Sequence, residues 1–377
     1  MANNNLYVVH EFGAPRHFDS LLFFNERSGK YKKIIMIEFA LLKNFYKSVK
    51  NSDVKLFVRT VRNLILLLNL LVTPKKDLII GAAPYHLSIY YLYLLKLKHN
   101  VVYYSSWPFW DYSRYPRKIH LKSQLRVWDK FLHNIKTVAV TEAVRIGLNK
   151  YTKNVMVIPH CINPTIFNAS KRALKNKNQP IKIIYVGRLV PEKGINLLLN
   201  LAGILNDQYP ELLIEWVVIG DGELKSEVIE FSKQNLNFSY LGSIKDNRLL
   251  ANIYNDADIL LLPSVIGDAK WEELFGIVLI EAMACGCVPI ATASIGPAQI
   301  IDQNRCGILI QDAENKNEFL DAIISLLNDE GKREGMAKEA IKKVEAFYTE
   351  EINSELWSEV LTDSLMIADN KAARVIG

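Results

Sequence analysis

The chain has no apolar run long enough to cross a bilayer, which takes about 18 residues. Its longest candidate, Leu64 to Val72, is interrupted by Asn69 and falls short. A membrane-spanning helix is therefore excluded. The first residues, Met-Ala-Asn-Asn-Asn-Leu-Tyr-Val-Val, carry neither a charged n-region nor an apolar h-region, so a cytoplasmic location is expected. Cysteine is scarce: Cys161, Cys285, Cys287 and Cys306 show no paired CxxC spacing, which argues against a zinc ribbon or a dithiol redox centre and for reduced, mostly buried thiols. An Asp-x-Asp at Asp256 and Asp258 is the nearest thing to a metal motif, but Asp258 directly precedes a buried strand, so no metal is expected. No nucleic-acid-binding motif is present, so nucleic acid is not an expected partner.

What is present points to a large α/β protein. At 377 residues the chain exceeds one ordinary core, and two domains are the expectation. The charge is unevenly shared. Residues 1 to 166 hold 25 Lys/Arg against 9 Asp/Glu, a net +16, and the remainder holds 21 against 31, a net −10. An excess confined to one half predicts a partner for that half. Between residues 29 and 72, lysines and arginines alternate with large apolar residues at helical spacing, the pattern an interfacial helix needs to meet anionic headgroups.

The chemistry concentrates between Ser264 and Ile290. Glu273 and Glu281 stand eight positions apart, with Phe275-Gly276-Ile277 after the first and a helix-like run of small residues after the second. With a helix starting near Ile277, its amides form an anion site, and Gly276 allows a ligand close approach to the main chain. Upstream, Ile181 to Val186 reads as a strand ending at Gly187, followed by Arg188 and Lys193 on the next loop and turn. Two cations at a strand's carboxyl end suit a pyrophosphate and can neutralise a departing diphosphate without a metal.

These residues carry a family resemblance. The segment around Glu273 and Glu281 is similar to the Glu-x7-Glu signature of retaining nucleotide-sugar glycosyltransferases of the GT-B fold, in particular family 4, and Gly187-Arg188-Leu with Glu192-Lys193-Gly194 resembles that family's diphosphate element. Val157-Ile-Pro159, with His160 and Cys161 in place of Asn and Gly, looks like a third element. The resemblance implies an α/β fold of two Rossmann-like domains with parallel sheets facing across a cleft. It implies that Arg188 and Lys193 bind the donor diphosphate, Glu273 the sugar hydroxyls, Glu281 the ribose, and the Phe275-Gly276-Ile277 backbone the phosphates. By the same resemblance Gly13 faces the phosphates from the first domain, and the Gly242-Ser243 loop borders the base.

The expected division is 1–168 for the acceptor-side domain, 169–180 for a linker, 181–347 for the nucleotide-sugar domain, and 348–377 for a helix crossing back to the first domain. On the acceptor side, His86, Ser106, Trp107 and Trp110 lie near strand ends, where open parallel sheets bind ligands. Ser106 stands where many members of the resembled family carry a His. The implied activity is retaining transfer of a sugar, from a UDP or GDP sugar and with no separate cofactor, to a glycan or lipid-linked acceptor, in surface polysaccharide or glycoconjugate assembly. The alternatives are a sugar-nucleotide epimerase of the same fold and a catalytically silent sugar-binding subunit.

Overall fold

A computed structural model describes residues 4–11, 16–111, 119–172, 179–265 and 272–362. Aliphatic runs of four to six residues punctuated by helices at 3.6-residue spacing give two parallel sheets, whose strands are apolar on both faces because helices cover both. In the first sheet the strands are β1 (Leu6–His10), β2 (Ile34–Glu38), β3 (Asp77–Gly81), β4 (Asn100–Ser105), β5 (Lys136–Ala139) and β6 (Val155–Val157), in the order β2-β1-β3-β4-β5-β6. All of its pairings are parallel. Large rings fill one side of it: Phe131 meets Tyr103 and Trp128 edge-on, each at 5.5 Å between centroids.

The second sheet comprises β7 (Ile181–Val186), β8 (Ile214–Ile219), β9 (Phe238–Tyr240), β10 (Ile259–Leu262), β11 (Val288–Thr292) and β12 (Ile308–Ile310), ordered β12-β11-β10-β7-β8-β9 and again wholly parallel. This is the doubly wound order, with two runs of three strands diverging from the β7/β10 pair. Its core includes Ile183, Tyr185, Leu198, Trp216, Ile259 and Phe319, all buried.

The chain separates into two compact units, and the border falls at Pro159 rather than at 168. Residues read from the sequence as the start of a solvated linker are held by the second unit instead. The Arg172 guanidinium pairs with Asp258 at 3.3 Å, and Asn255 Nδ2 donates to the Asn168 carbonyl at 2.9 Å. Asp258 also accepts from the Lys182 amide at 2.8 Å, so its carboxylate anchors the chain entry to β7. Residues 173–178 of the expected linker lie outside the described residues.

The helix Glu350–Leu361 belongs to the first unit from Asn353 onward. Asn353 Nδ2 donates to the Pro159 carbonyl at 2.6 Å, and the fully buried Trp357 donates from Nε1 to Ser20 Oγ at 3.1 Å. Truncating a buried Trp leaves a large void and costs about 3–5 kcal/mol. Trp357→Ala is accordingly expected to lower the urea midpoint of the first unit's transition, and an unchanged midpoint would show that this helix contributes no stability there.

Candidate functional site

Strand order reverses at the β7/β10 pair, where Ile183 and Ile184 lie opposite Ile259 and Leu260. The connections leaving these strands run to opposite sides of the sheet, the place where doubly wound sheets bind ligands. Gly187 and Arg188 follow β7, and Pro263 and Ser264 follow β10. The two loops touch. Gly194 adopts a left-handed φ of 75°, and a Cβ there would lie 1.7 Å from the Pro263 carbonyl oxygen. The Val265 amide donates to the Glu192 carbonyl at 3.0 Å. Tyr185, buried in β7, donates its hydroxyl to the Arg188 carbonyl at 2.8 Å and fixes the start of the loop. Burial, with Glu273 adding to it, pushes the Tyr185 phenol well above its ordinary range, so it stays a neutral donor.

Within this frame Lys193, on the 3-10 turn Pro191–Lys193, forms an ion pair with Glu273, and both side chains are largely buried at 14% and 13% exposure. They stand 80 positions apart in sequence and are brought together by the sheet's topology. Arg188 projects into solvent, 60% exposed, with Glu192 3.8 Å away. One cation is thus held against a largely buried acid, and the other lies exposed beside a partly exposed one.

The Glu273 segment is pinned on both sides. Its carbonyl accepts from the Gly296 amide at 2.9 Å, and Phe275 is buried with its ring edge-on to His160 at 4.7 Å between centroids. Gly276 caps the helix Ile277–Ala284 with a φ of 86°, a conformation costly for any side-chain-bearing residue. First-turn amides of a helix lack intrahelical acceptors, so the start of this helix at Ile277 and Val278 suits an anion. Glu281 lies inside that helix, 3% exposed, and accepts from the buried Tyr254 hydroxyl at 3.4 Å. Burial first, then Glu281, raises the Tyr254 pKa far above the usual phenol value.

The structure therefore gathers Gly187, Arg188, Lys193, Glu273, Phe275, Gly276 and Ile277 around the ends of β7 and β10. Gly242 and Ser243 sit at the end of β9, two strands from β7. The Gly242 carbonyl accepts from the Gly220 amide at 2.9 Å, and Ser243 is exposed. Gly13 lies outside the described residues. Sequence reading passed over Tyr185 and Tyr254, which look like ordinary core tyrosines until their partners are known. It also missed Ser264, Thr292 and Ser294, whose hydroxyls are buried at the carboxyl ends of β10 and β11 with no hydrogen-bond partner among the described residues. Only the strand-end position of Ser264 and Thr292 could have signalled them.

In the first unit the acceptor-side candidates divide. Trp110 is 1% exposed and packs edge-on against Tyr85 and Tyr103 at about 6 Å between centroids, so it is a core residue and not a surface platform. Trp107 is half-buried and donates from Nε1 to the Phe109 carbonyl at 2.9 Å, while Ser106 is exposed just beyond β4. His86 is half-buried, with Nδ1 2.8 Å from Ser88 Oγ, and burial, then His120, lowers its pKa. His10, the last residue of β1, and His17 stand 5.5 Å apart between ring centroids. Burial, then His10, brings the His17 pKa down to about 4, so a neutral imidazole not anticipated from the sequence stands near this strand end at pH 7.

The family described as Glycosyl transferases group 1 matches residues 167–343, nearly all of the second unit and less than half of the chain. Among curated proteins, the D-inositol 3-phosphate glycosyltransferase of Paenarthrobacter aurescens is 29% identical over 189 residues, covering 48% of this chain and 44% of that protein. The chain thus spans less than half the length of that relative. Among solved structures, sucrose-phosphate synthase from Thermosynechococcus elongatus aligns with a TM-score of 0.67 at 17% identity over 96% of this chain and 99% of that one. Anabaena HepE, determined in complex with UDP, aligns with a TM-score of 0.67 at 14% identity over 96% and 100%. The architecture is the GT-B fold. The group 1 match falls on the unit that carries the Lys193–Glu273 site.

Contact between the two strand-end loops depends on the missing side chain at position 194. Gly194→Ala combines a left-handed backbone with a clash against Pro263 and is expected to destabilise the second unit by about 2 kcal/mol or more. Differential scanning calorimetry reads this as a lowered transition, and an unshifted transition would mean the loops are not in contact.

Proposed function

We propose that the chain is a retaining glycosyltransferase whose second unit binds a nucleotide-diphosphate sugar and whose first unit receives the acceptor. The observation that carries this reading is the convergence of Arg188, the Lys193–Glu273 pair and the start of the Ile277–Ala284 helix at the β7/β10 switch point. A diphosphate placed there meets an exposed guanidinium, an ammonium and helix-terminal amides, which neutralise the charge that grows as the nucleotide leaves. This charge compensation makes a metal ion unnecessary, and the reading is of metal-independent transfer. Glu273 would orient the sugar hydroxyls, so that the acceptor hydroxyl arrives on the face the diphosphate leaves. No side chain is assigned as a covalent nucleophile.

Glu281, anchored by Tyr254, is assigned to the ribose, and the Gly242-Ser243 loop to the edge of the base. The hydroxyls of Ser264, Thr292 and Ser294 add polar groups at the same strand ends. A UDP or GDP sugar is the favoured donor, and UDP in the HepE structure supports the first of these. A glycan or lipid-linked acceptor, with a role in surface polysaccharide or glycoconjugate assembly on the cytoplasmic side, fits the basic first unit. The similar Escherichia coli protein named as a putative colanic acid biosynthesis glycosyltransferase, 29% identical over 192 residues, supports the same direction.

A thermal-shift panel of nucleoside diphosphates and their sugars is expected to raise the unfolding temperature with one base and to do so equally in EDTA. Stabilisation lost on chelation would overturn metal-independent binding. With the donor so identified, Arg188→Ala is expected to cut turnover by roughly 10²-fold, the scale of one lost electrostatic stabiliser. Near-normal turnover of that variant would remove Arg188 from the mechanism.

A further inference from the structure

Two consecutive helices of the first unit expose large apolar side chains while burying polar ones. Helix Leu41–Lys50 buries Asn44 and Ser48 and exposes Leu42 (88%), Tyr46 (67%) and Val49 (72%), which recur at i, i+4 and i+7 on one face. Helix Val54–Val72 is mixed: Thr60 and Asn63 are buried together with Leu67 and Leu70, while Val54, Val58, Ile65, Leu68 and Val72 are exposed. Nine of the nineteen exposed large apolar side chains among the described residues fall within residues 41–72. Such concentration marks an interaction surface and not the usual scatter of single apolar residues.

Two of the buried polar positions are held by local bonds. Ser48 Oγ donates to the Phe45 carbonyl at 2.8 Å and Thr60 Oγ1 to the Leu56 carbonyl at 2.7 Å, so these inward hydroxyls are satisfied by their own helices. Asp53 accepts from the Leu56 amide at 2.9 Å and caps the second helix, and Phe45 meets Phe57 edge-on at 5.6 Å to clamp the pair. The exposed apolar side chains are therefore presented by a rigid hairpin.

Charge identifies what the hairpin meets. Residues 41–72 contain Lys43, Lys47, Lys50, Lys55, Arg59 and Arg62, all exposed, against the single acid Asp53. A second copy seated by two-fold symmetry would bring this cationic surface against itself, which is repulsive. A phospholipid surface bearing negative headgroups satisfies both features at once, because apolar side chains enter the acyl boundary while cations meet phosphate. No helix among the described residues is long and apolar enough to cross a membrane, so contact would be peripheral. We propose that the hairpin of helices Leu41–Lys50 and Val54–Val72 docks the chain on an anionic phospholipid surface. The inference rests on the first unit alone and does not depend on the donor chemistry of the second.

The test is flotation of the full chain with vesicles of phosphatidylcholine alone or mixed with phosphatidylglycerol at physiological salt. Binding is expected only with the anionic vesicles. Leu42→Ser, Val49→Ser, Ile65→Ser and Leu68→Ser combined, and separately Lys47→Glu, Lys50→Glu and Lys55→Glu combined, should each reduce partitioning by about tenfold or more, since each basic residue contributes substantially near such a surface. All seven positions are exposed, so the unfolding temperature should not move, and nucleotide binding in solution should be the same in all three proteins. Absence of binding, equal binding to neutral vesicles, or a variant that partitions like the parent would overturn the proposal. So would a dimer of the parent chain, seen by light scattering, that the serine variant converts to monomer.

Discussion

Everything at the candidate site depends on one topological constraint: the chain leaves β7 and β10 in opposite directions although the two strands are neighbours. A reversal of this kind is where doubly wound sheets bind ligands, and here the loops that follow the two strands carry polar groups to it. Gly194 brings the two loops into direct contact, because only a residue without a side chain can rest on the Pro263 carbonyl. Lys193 is delivered by that same turn, and Glu273 by the segment that leads into the next helix.

The Lys193–Glu273 pair then has two consequences. Each charge, largely withdrawn from water, is compensated by the other, which avoids the cost of an isolated buried ion. Under the proposed function the same pair places the sugar-orienting acid beside a diphosphate-binding cation, so that one contact sets the relative position of the donor's two halves. Arg188 works differently. It lies exposed beside Glu192, where an incoming diphosphate can meet it, while Tyr185 holds its main chain and so limits where its side chain can reach.

The two units carry different kinds of information. The second presents a charged, pinned site at a strand-order reversal. The first presents histidines near its own strand ends and, elsewhere, a cationic hairpin with large apolar side chains exposed. Six of the 25 basic residues of positions 1–166 lie on that hairpin, against one of the nine acids.

The position of Gly187 and Arg188 was legible in the sequence because a strand end exposes its chemistry locally: a short aliphatic run, a glycine, then a charge. Glu273 and Gly276 stand out through their spacing from Glu281 and the family resemblance it carries, and the structure places Glu273 beside Lys193. What was not legible depended on partners distant in sequence. Arg172 looks like a linker charge until Asp258, 86 residues later, is brought beside it. Trp110 follows a strand in the same way as an exposed platform would, and only the packing of Tyr85 and Tyr103 makes it core. Tyr185 and Tyr254 gain their roles from the Arg188 carbonyl and Glu281, which no local pattern reveals. A crystal structure of the chain with a nucleotide-diphosphate sugar tests the central claim most directly. The account predicts both phosphates between Arg188, Lys193 and the first turn of the Ile277–Ala284 helix, with the sugar against Glu273. Phosphates bound at any other strand end would contradict it.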